Sequence, residues 1–273
     1  MPAKRARPLP GLKREVTNIS GMKARILELL EQVRNGAIQP EAALEQLKFL
    51  PFEDIGIARV DTHRELRQGF PELIYGKDKD FESIQRIVEA MYGLPSPVLV
   101  TRLSPFKASR LLKAFPDAQY FPKARILRLN ERYIRPQNLG TVGLVSAGTS
   151  DGPVLEEACI TLETLGVKTE VLFDVGVAGV HRLFPEIERL QTCRVLIAIA
   201  GMEGALASLL GGMFEAPVLA VPTSCGYGSH LNGFTPLLAM LTSCANLAVF
   251  NIDNGVGAAL FAFRVLKAQV AKS

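Results

Sequence analysis

The 273-residue chain has no tryptophan, three histidines and four cysteines, and these scarcities narrow its chemistry. Cys159, Cys193, Cys225 and Cys244 form no C-x-x-C pair, and His63, His181 and His230 form no H-x-x-x-H pair, so no zinc pattern or other metal motif is present. Reduced thiols in a cytoplasmic protein are the simplest reading of such cysteines. Neither a Walker loop nor a G-x-G-x-x-G turn occurs. Long apolar runs are also lacking. Val195–Phe214 approaches the length of a bilayer span, but four glycines and Glu203 divide it into strand, turn and helix. Met1–Lys13 carries Lys4, Arg5 and Arg7 with no apolar run behind it, so residues 1–19 read as a disordered basic tail rather than a secretory signal. Neither a membrane nor a nucleic acid is expected as partner.

Hydrophobic residues make up 48% of the chain, ample for a large core. The net charge of +4 hides an asymmetry: 24 Lys+Arg against 16 Asp+Glu precede Gly140, and 7 against 11 follow, so the two parts are +8 and −4. A basic front part can hold a phosphate-bearing substrate; scattered Lys and Arg are also an ordinary solvated surface.

Residues 20–135 read as a small α/β domain. Apolar spacing predicts helices over Gly21–Asn35, Pro40–Leu50, Phe81–Tyr92 and Ser104–Phe115. Strands are expected notably at Ile55–Val60 and Val98–Arg102. Arg59, Asp61, His63, Arg64 and Arg67 cluster within Ala58–Tyr75, as an ion-paired surface does. Tyr133–Leu139 reads as a linker.

Residues 136–273 alternate short apolar runs with helical segments, the pattern of a parallel sheet covered on both faces. Strands are predicted at Val142–Val145, Thr169–Phe173, Arg194–Ile199, Val218–Val221 and Leu247–Phe250. Helices are predicted at Pro153–Leu165, His181–Gln191, Glu203–Met213, Asn232–Leu241 and Val256–Val270. Ligands of such sheets gather at the carboxyl ends of strands, and the polar and glycine-rich clusters are all expected there.

The first cluster is Ser146-Ala-Gly148-Thr149-Ser150-Asp151, followed by Gly152-Pro153. Gly152 fits a helix cap, which leaves Ser150 and Asp151 to face a ligand; the turn serves equally as a plain cap or as an anion site. The second runs from Asp174 to His181-Arg182, offering a proton carrier and an anion-binding guanidinium. The third sets Glu203 among Gly201, Met202 and Gly204, where a buried carboxylate serves as acid, base or cap. The fourth, Pro222–His230, has Cys225 and Tyr227 in a flexible loop, and the fifth holds Cys244 and then Asn251–Gly255. Met202, Leu206, Leu209, Met213 and Phe214 offer more apolar surface than one sheet face needs, so a homo-oligomer is expected.

The strings V-S-A-G-T-S-D, D-V-G-V-A-G-V-H-R, A-G-M-E-G-A-L-A-S-L-L-G-G, P-V-L-A-V-P-T-S-C-G-Y-G, L-L-A-M-L-T-S-C-A and N-I-D-N-G-V-G-A-A resemble the LarB family of nickel-pincer cofactor biosynthesis. P-F-E-D, A-R-V-D-T-H-R-E-L-R-Q-G-F-P-E and V-T-R in the front part agree. The back part is more distantly similar to the aminoimidazole ribonucleotide carboxylase/mutase of purine synthesis. There Ser150-Asp151, His181-Arg182 and Ala200–Gly212 correspond, while Ser208 stands for the usual proline.

The resemblance implies a flavodoxin-like three-layer domain and a reaction: nicotinic acid adenine dinucleotide, carbon dioxide and water give pyridinium-3,5-biscarboxylic acid mononucleotide and AMP. It implies Cys244 as nucleophile, with Cys225 lining the pocket. His181, Glu203 and Asp151 are then candidates for proton transfer. Ser146, Gly148, Thr149, Ser150, Asp174, Arg182, Gly201 and Tyr227 are candidates for binding. Carbon dioxide or bicarbonate is the co-substrate; no tightly bound cofactor is expected, and magnesium on the diphosphate is compatible with this chemistry. The alternatives are a purine-type carboxylase/mutase and a non-catalytic nucleotide-binding regulator.

Overall fold

In a computed structural model, described for residues 19–47, 53–54, 59–61 and 64–270, the chain divides into two units, Met1–Pro51 and Phe52–Ser273. The first supplies helices α1 (Ile19–Arg34) and α2 (Pro40–Leu47), with Leu29 and Ala43 buried and Leu30 and Leu44 exposed. The expected tail up to residue 18 and His63 lie outside the described residues, as does most of the strand expected at Ile55–Val60.

The second unit begins with a two-stranded antiparallel pair, β1 (Glu53–Asp54) and β2 (Arg59–Val60), then α3 (Arg64–Gln68). A four-stranded sheet follows: β3 (Leu73–Tyr75), β4 (Val98–Thr101), β5 (Gln119–Phe121) and β6 (Ile126–Leu129), in the order β3-β4-β6-β5. Helices α4 (Phe81–Tyr92) and α5 (Pro105–Ala114) cover one face. Asp80 and Ser104 start them by accepting hydrogen bonds from the N–H groups of Ser83 and Lys107, as good N-caps do. Ile84, Val88 and Leu111 on these helices pack on Val98, Val100, Leu127 and Leu129. The alternate residues Leu99 and Ile126 face the other way and meet Ile160 of the next domain.

That domain is a five-stranded, wholly parallel sheet of β7 (Thr141–Ser146), β8 (Lys168–Leu172), β9 (Val195–Ala200), β10 (Val218–Pro222) and β11 (Leu247–Val249). Its spatial order, β11-β10-β9-β7-β8, is the flavodoxin-like order. The helices are α6 (Gly152–Thr164), α7 (Ile187–Gln191), α8 (Ala205–Met213), α9 (Phe234–Leu241) and α10 (Gly255–Val270). Val195, Ile197 and Ile199 of β9 pack under α6 and α10, while Leu196, Ala198 and Ala200 pack under α8 and α9. Both faces are covered, so every β9 residue is buried and the strand reads as an unbroken apolar run. No helix among the described residues is long and apolar enough to cross a membrane.

Two expectations change. The helix expected from His181 to Gln191 is instead two 3-10 turns, Val177–Arg182 and Phe184–Glu186, followed by the short α7. Pro185 has no N–H to continue an α-helical ladder and crowds the preceding turn, and Gly179 (φ −131°, ψ 49°) breaks the first turn. Of the apolar surface expected there, Met202 and Met213 are exposed but Leu206 is in the core; Leu231 and, on α9, Phe234, Leu238 and Leu241 are exposed as well.

Arg102 joins the two sheets' loops. Its Nε lies 3.2 Å from the Glu157 carboxylate on α6, and its Nη2 donates to the Asp253 carbonyl. Glu157 is buried; burial pushes its carboxyl above the ordinary value and Arg102 pulls it back. Removing the cation strands a buried charge, so Arg102→Ala should cost about 3 kcal/mol in urea unfolding. Glu157→Gln added to it should recover part of the loss; a loss below about 0.5 kcal/mol would show the pair to be a surface-type contact.

Candidate active site

Strand order reverses between β7 and β9, so the loops after these strands diverge and leave a crevice at the carboxyl edge. A cavity of about 510 Å³ occupies it, within the range of small-molecule sites. Gly148, Thr149, Ser150 and Asp151 line it from the β7 loop, and Asp174 and Arg182 from the β8 loop. Gly201, Met202 and Glu203 come from the β9 loop, and Cys225, Gly226 and Tyr227 from the β10 loop.

Close backbone approaches hold these loops together. A Cβ on Gly201 would lie 2.2 Å from the Cys225 carbonyl oxygen and 2.7 Å from the Thr223 hydroxyl. A Cβ on Gly176 would lie 2.6 Å from the Ala147 carbonyl oxygen, which accepts the Gly176 N–H at 2.8 Å. Neither position admits a side chain.

Asp151 is not left free by a Gly152 cap as expected. Thr149–Asp151 is a 3-10 turn and Gly152 is already helical. The Asp151 carboxylate is buried, accepting the Thr223 hydroxyl at 2.6 Å and the Gly148 N–H at 2.8 Å. It forms a fixed wall of the cavity and holds the β7 and β10 loops together.

Ser146 is fully buried beneath the site and does not line it; its Oγ accepts the Asp174 N–H at 3.3 Å. Arg182 pairs with Asp174 at 2.6 Å, and both are substantially exposed, so the pair positions a guanidinium without adding much stability. His181 is exposed and outside the cavity lining. Glu203 lines the cavity but is exposed, not buried as expected.

Cys244 also lies outside the lining. The segment Leu241–Asn246 precedes β11 and therefore belongs to the amino side of the strand; of the fifth cluster only Asn251–Gly255 reaches the carboxyl edge. Cys244 is exposed. Its neighbour Ser243 shares a 2.7 Å hydrogen bond with Ser208, one turn along α8 from the lining residue Ala205. Cys225, which does line the cavity, donates its S–H to the Ser150 carbonyl at 3.1 Å. Burial pushes this thiol up, and the negative charges of Asp151 and Asp253 push it further, so it stays protonated.

Residues 52–132 match the model of the LarB/PurE-like N-terminal domain, and residues 141–272 match that of AIR carboxylase. An uncharacterized protein of Methanocaldococcus jannaschii is 38% identical over 255 residues, which cover 90% of this chain and 98% of the relative. The chain belongs to the LarB/PurE-like family. The N5-carboxyaminoimidazole ribonucleotide mutase of Pyrococcus horikoshii is 31% identical over 129 residues, 46% of this chain and 71% of that enzyme. The phosphoribosylaminoimidazole carboxylase of Saccharomyces cerevisiae is 31% identical over 131 residues, 46% of this chain and 22% of that enzyme. The LarB/PurE-like assignment thus carries a carboxylase/mutase-type function with it.

Thr223 belongs to the fourth cluster but has no individual role in the sequence; a fully buried threonine in P-T-S-C carries no signal of its own and matters only through Asp151. His230, the last residue of that cluster, likewise has no individual role in the sequence. It is buried behind Gly226, accepting the Gly233 N–H at 3.2 Å, with no hydrogen-bond partner at Nε2 among the described residues. The described residues hold no group of three or more His, Cys, Asp or Glu placed for a metal.

Burial raises the Asp151 carboxyl above the ordinary 3.8, against the lowering by Thr223 and the Gly148 N–H. The folded chain therefore holds this proton more tightly than the unfolded chain. The stability it contributes is fully present below 3.8 and is lost as pH rises through the folded value. Asp151→Asn lacks that loss. The melting temperature of the variant relative to wild type should therefore rise between about pH 4 and about pH 7, read by scanning fluorimetry. A fall would mean that Asp151 is stabilised as the anion.

Proposed function

We propose that the chain carboxylates the pyridinium ring of nicotinic acid adenine dinucleotide and hydrolyses its phosphoanhydride, releasing pyridinium-3,5-biscarboxylic acid mononucleotide and AMP. One observation carries this reading: a LarB-type front domain is joined to a carboxylase-type back domain in a chain that keeps an exposed thiol, Cys244. The purine-pathway relatives align with only 46% of the chain.

The ring chemistry explains the thiol. A pyridinium is electron-poor and does not attack carbon dioxide. Addition of the Cys244 thiolate to the ring neutralises its charge and makes a dihydropyridine, an enamine with a nucleophilic carbon. That carbon bonds to carbon dioxide, a base removes the ring proton, and expulsion of the thiolate restores aromaticity. Water then cleaves the phosphoanhydride. The thiolate, not the thiol, is the nucleophile in this step.

The other roles follow from position. The Gly148–Ser150 turn at the start of α6 and the Arg182 guanidinium suit phosphate or carboxylate. Asp151 and Glu203 reach the cavity and are the proton-transfer candidates there. His181, exposed outside it, enters the reaction only if assembly brings it in.

Assembly is part of the proposal. Phe234, Leu238 and Leu241 form an exposed stripe at helical spacing on α9, directly before Cys244. A second copy seated on this stripe would bring its own Cys244 toward the cavity of the first, so that the active site is completed across a subunit boundary. Leu238→Asp combined with Leu241→Asp should lower the mass found by light scattering and abolish turnover together. Unchanged mass would place the interface elsewhere.

Incubation with nicotinic acid adenine dinucleotide and labelled bicarbonate should give a mononucleotide bearing one added carboxyl group, together with AMP, by mass spectrometry. Absence of both products would remove the reading. Cys244→Ser should lower carboxylation by more than about a thousandfold and abolish a dihydropyridine-like absorbance with NAD, whereas Cys225→Ser should keep both. Activity on aminoimidazole ribonucleotide that survives Cys244→Ser would identify a purine-type enzyme instead.

A further inference from the structure

A second cavity, of about 190 Å³, lies on the other side of Ser150 and Cys225, the two residues it shares with the first. One wall is α6 with Val154 and Glu157; the other belongs to the front domain, through Arg102, Lys123, Ala124 and Arg125. Its volume is below that of a complete small-molecule site, so it reads as an extension of the first cavity rather than as an independent one.

Its charge is uneven. The Glu157 carboxylate is matched by Arg102, and the Asp253 carboxylate accepts the Ser224 N–H at 2.8 Å. Lys123 and Arg125 are exposed, and neither has an ion pair or a side-chain hydrogen bond among the described residues. Two uncommitted cations therefore face a cavity in which Glu157 is paired with Arg102 through Oε1, its Oε2 having no hydrogen-bond partner among the described residues, and Asp253 accepts one N–H. The backbone around it is unusual as well. Arg102 (φ 55°), Arg125 (φ 54°) and Asp253 (φ 57°) are all left-handed non-glycine residues. The Leu103 N–H, next to Arg102, donates to the Arg125 carbonyl at 2.8 Å. Such conformations persist where surrounding contacts impose them, and they gather at ligand sites.

We propose that this second cavity is the subsite for the phosphate and ribose of the adenylate half of the substrate, with Lys123 and Arg125 as the groups that recognise the phosphate. Arg102 is the positioning residue, tying the front wall to α6 and to the Asp253 loop. The proposal rests on the preceding reading that the substrate is a pyridine dinucleotide. The pyridine mononucleotide half then occupies the larger cavity, and the phosphoanhydride crosses between them beside Ser150. The leaving AMP stays with the front domain. This also gives the front domain's surplus of positive charge a role in binding.

The test uses the full chain with AMP and with nicotinic acid mononucleotide as separate probes, by calorimetry. Lys123→Glu combined with Arg125→Glu should weaken AMP by about tenfold or more and leave the mononucleotide within about twofold. Lys123→Gln with Arg125→Gln should do the same to a lesser degree, and serves if the charge-reversed chain does not fold. With the dinucleotide, KM should rise and kcat should hold, the pattern of lost ground-state binding. AMP affinity unchanged in both double variants, or no AMP binding by wild type, overturns the subsite. A wild type that binds AMP through these cations yet carboxylates nothing keeps the subsite and removes the reaction.

Discussion

The site depends on an absence of atoms at Gly201. The Asp151–Thr223 hydrogen bond ties the loop after β7 to the loop after β10, and these strands are not neighbours; β9 lies between them. The link passes over the end of β9 only because residue 201 has no side chain, since a Cβ there would overlap both the Thr223 hydroxyl and the Cys225 carbonyl. The Met202 N–H then reaches that carbonyl at 3.3 Å. The wall of the cavity follows from this one close approach.

Polarity is distributed around the wall in a consistent way. Carboxylates that would repel an anionic ligand are already committed: Asp151 to Thr223 and Gly148, Asp174 to Arg182, Glu157 to Arg102, Asp253 to Ser224. What remains open to a ligand is backbone, hydroxyl, cation and one exposed carboxylate, Glu203. Cys225, on the partition between the two cavities, has its thiol pushed up by burial first and then by the charges of Asp151 and Asp253, so it suits a wall and not a nucleophile.

Long periodic elements were legible in the chain. Phe81–Tyr92 is the helix its spacing predicts, and the strands of the parallel sheet fall within a residue or so of their apolar runs. Short strands such as Gln119–Phe121 were not named, because three residues carry too little period to separate strand from loop. The 3-10 stretch after Val177 departs from the predicted helix because Pro185 outweighs the apolar spacing. The carboxyl-end rule located the cavity loops correctly, but it was extended to Cys244, whose place before a strand assigns it to the opposite side. Burial of individual polar groups was not legible: Glu203 was expected inside and is exposed, and Asp151 was expected to be free and is bonded. Those outcomes depend on partners such as Thr223, distant in sequence. The wall formed by Arg102, Lys123 and Arg125 has no local signature for the same reason, since nothing in the sequence links residue 125 to residue 150.

The Arg102–Glu157 contact bears on how such a chain can change. Glu157 is buried on a helix of the carboxylase-type half, and its matching charge comes from the other half. Ile160, one turn further along that helix, is covered by Leu99 and Ile126 of the front sheet. A flavodoxin-like half cut free at the connecting segment would carry an unmatched carboxylate and a newly wetted apolar patch. The two halves are thus bound to one another thermodynamically, and exchange of one for a distant relative's version would require matched changes on α6.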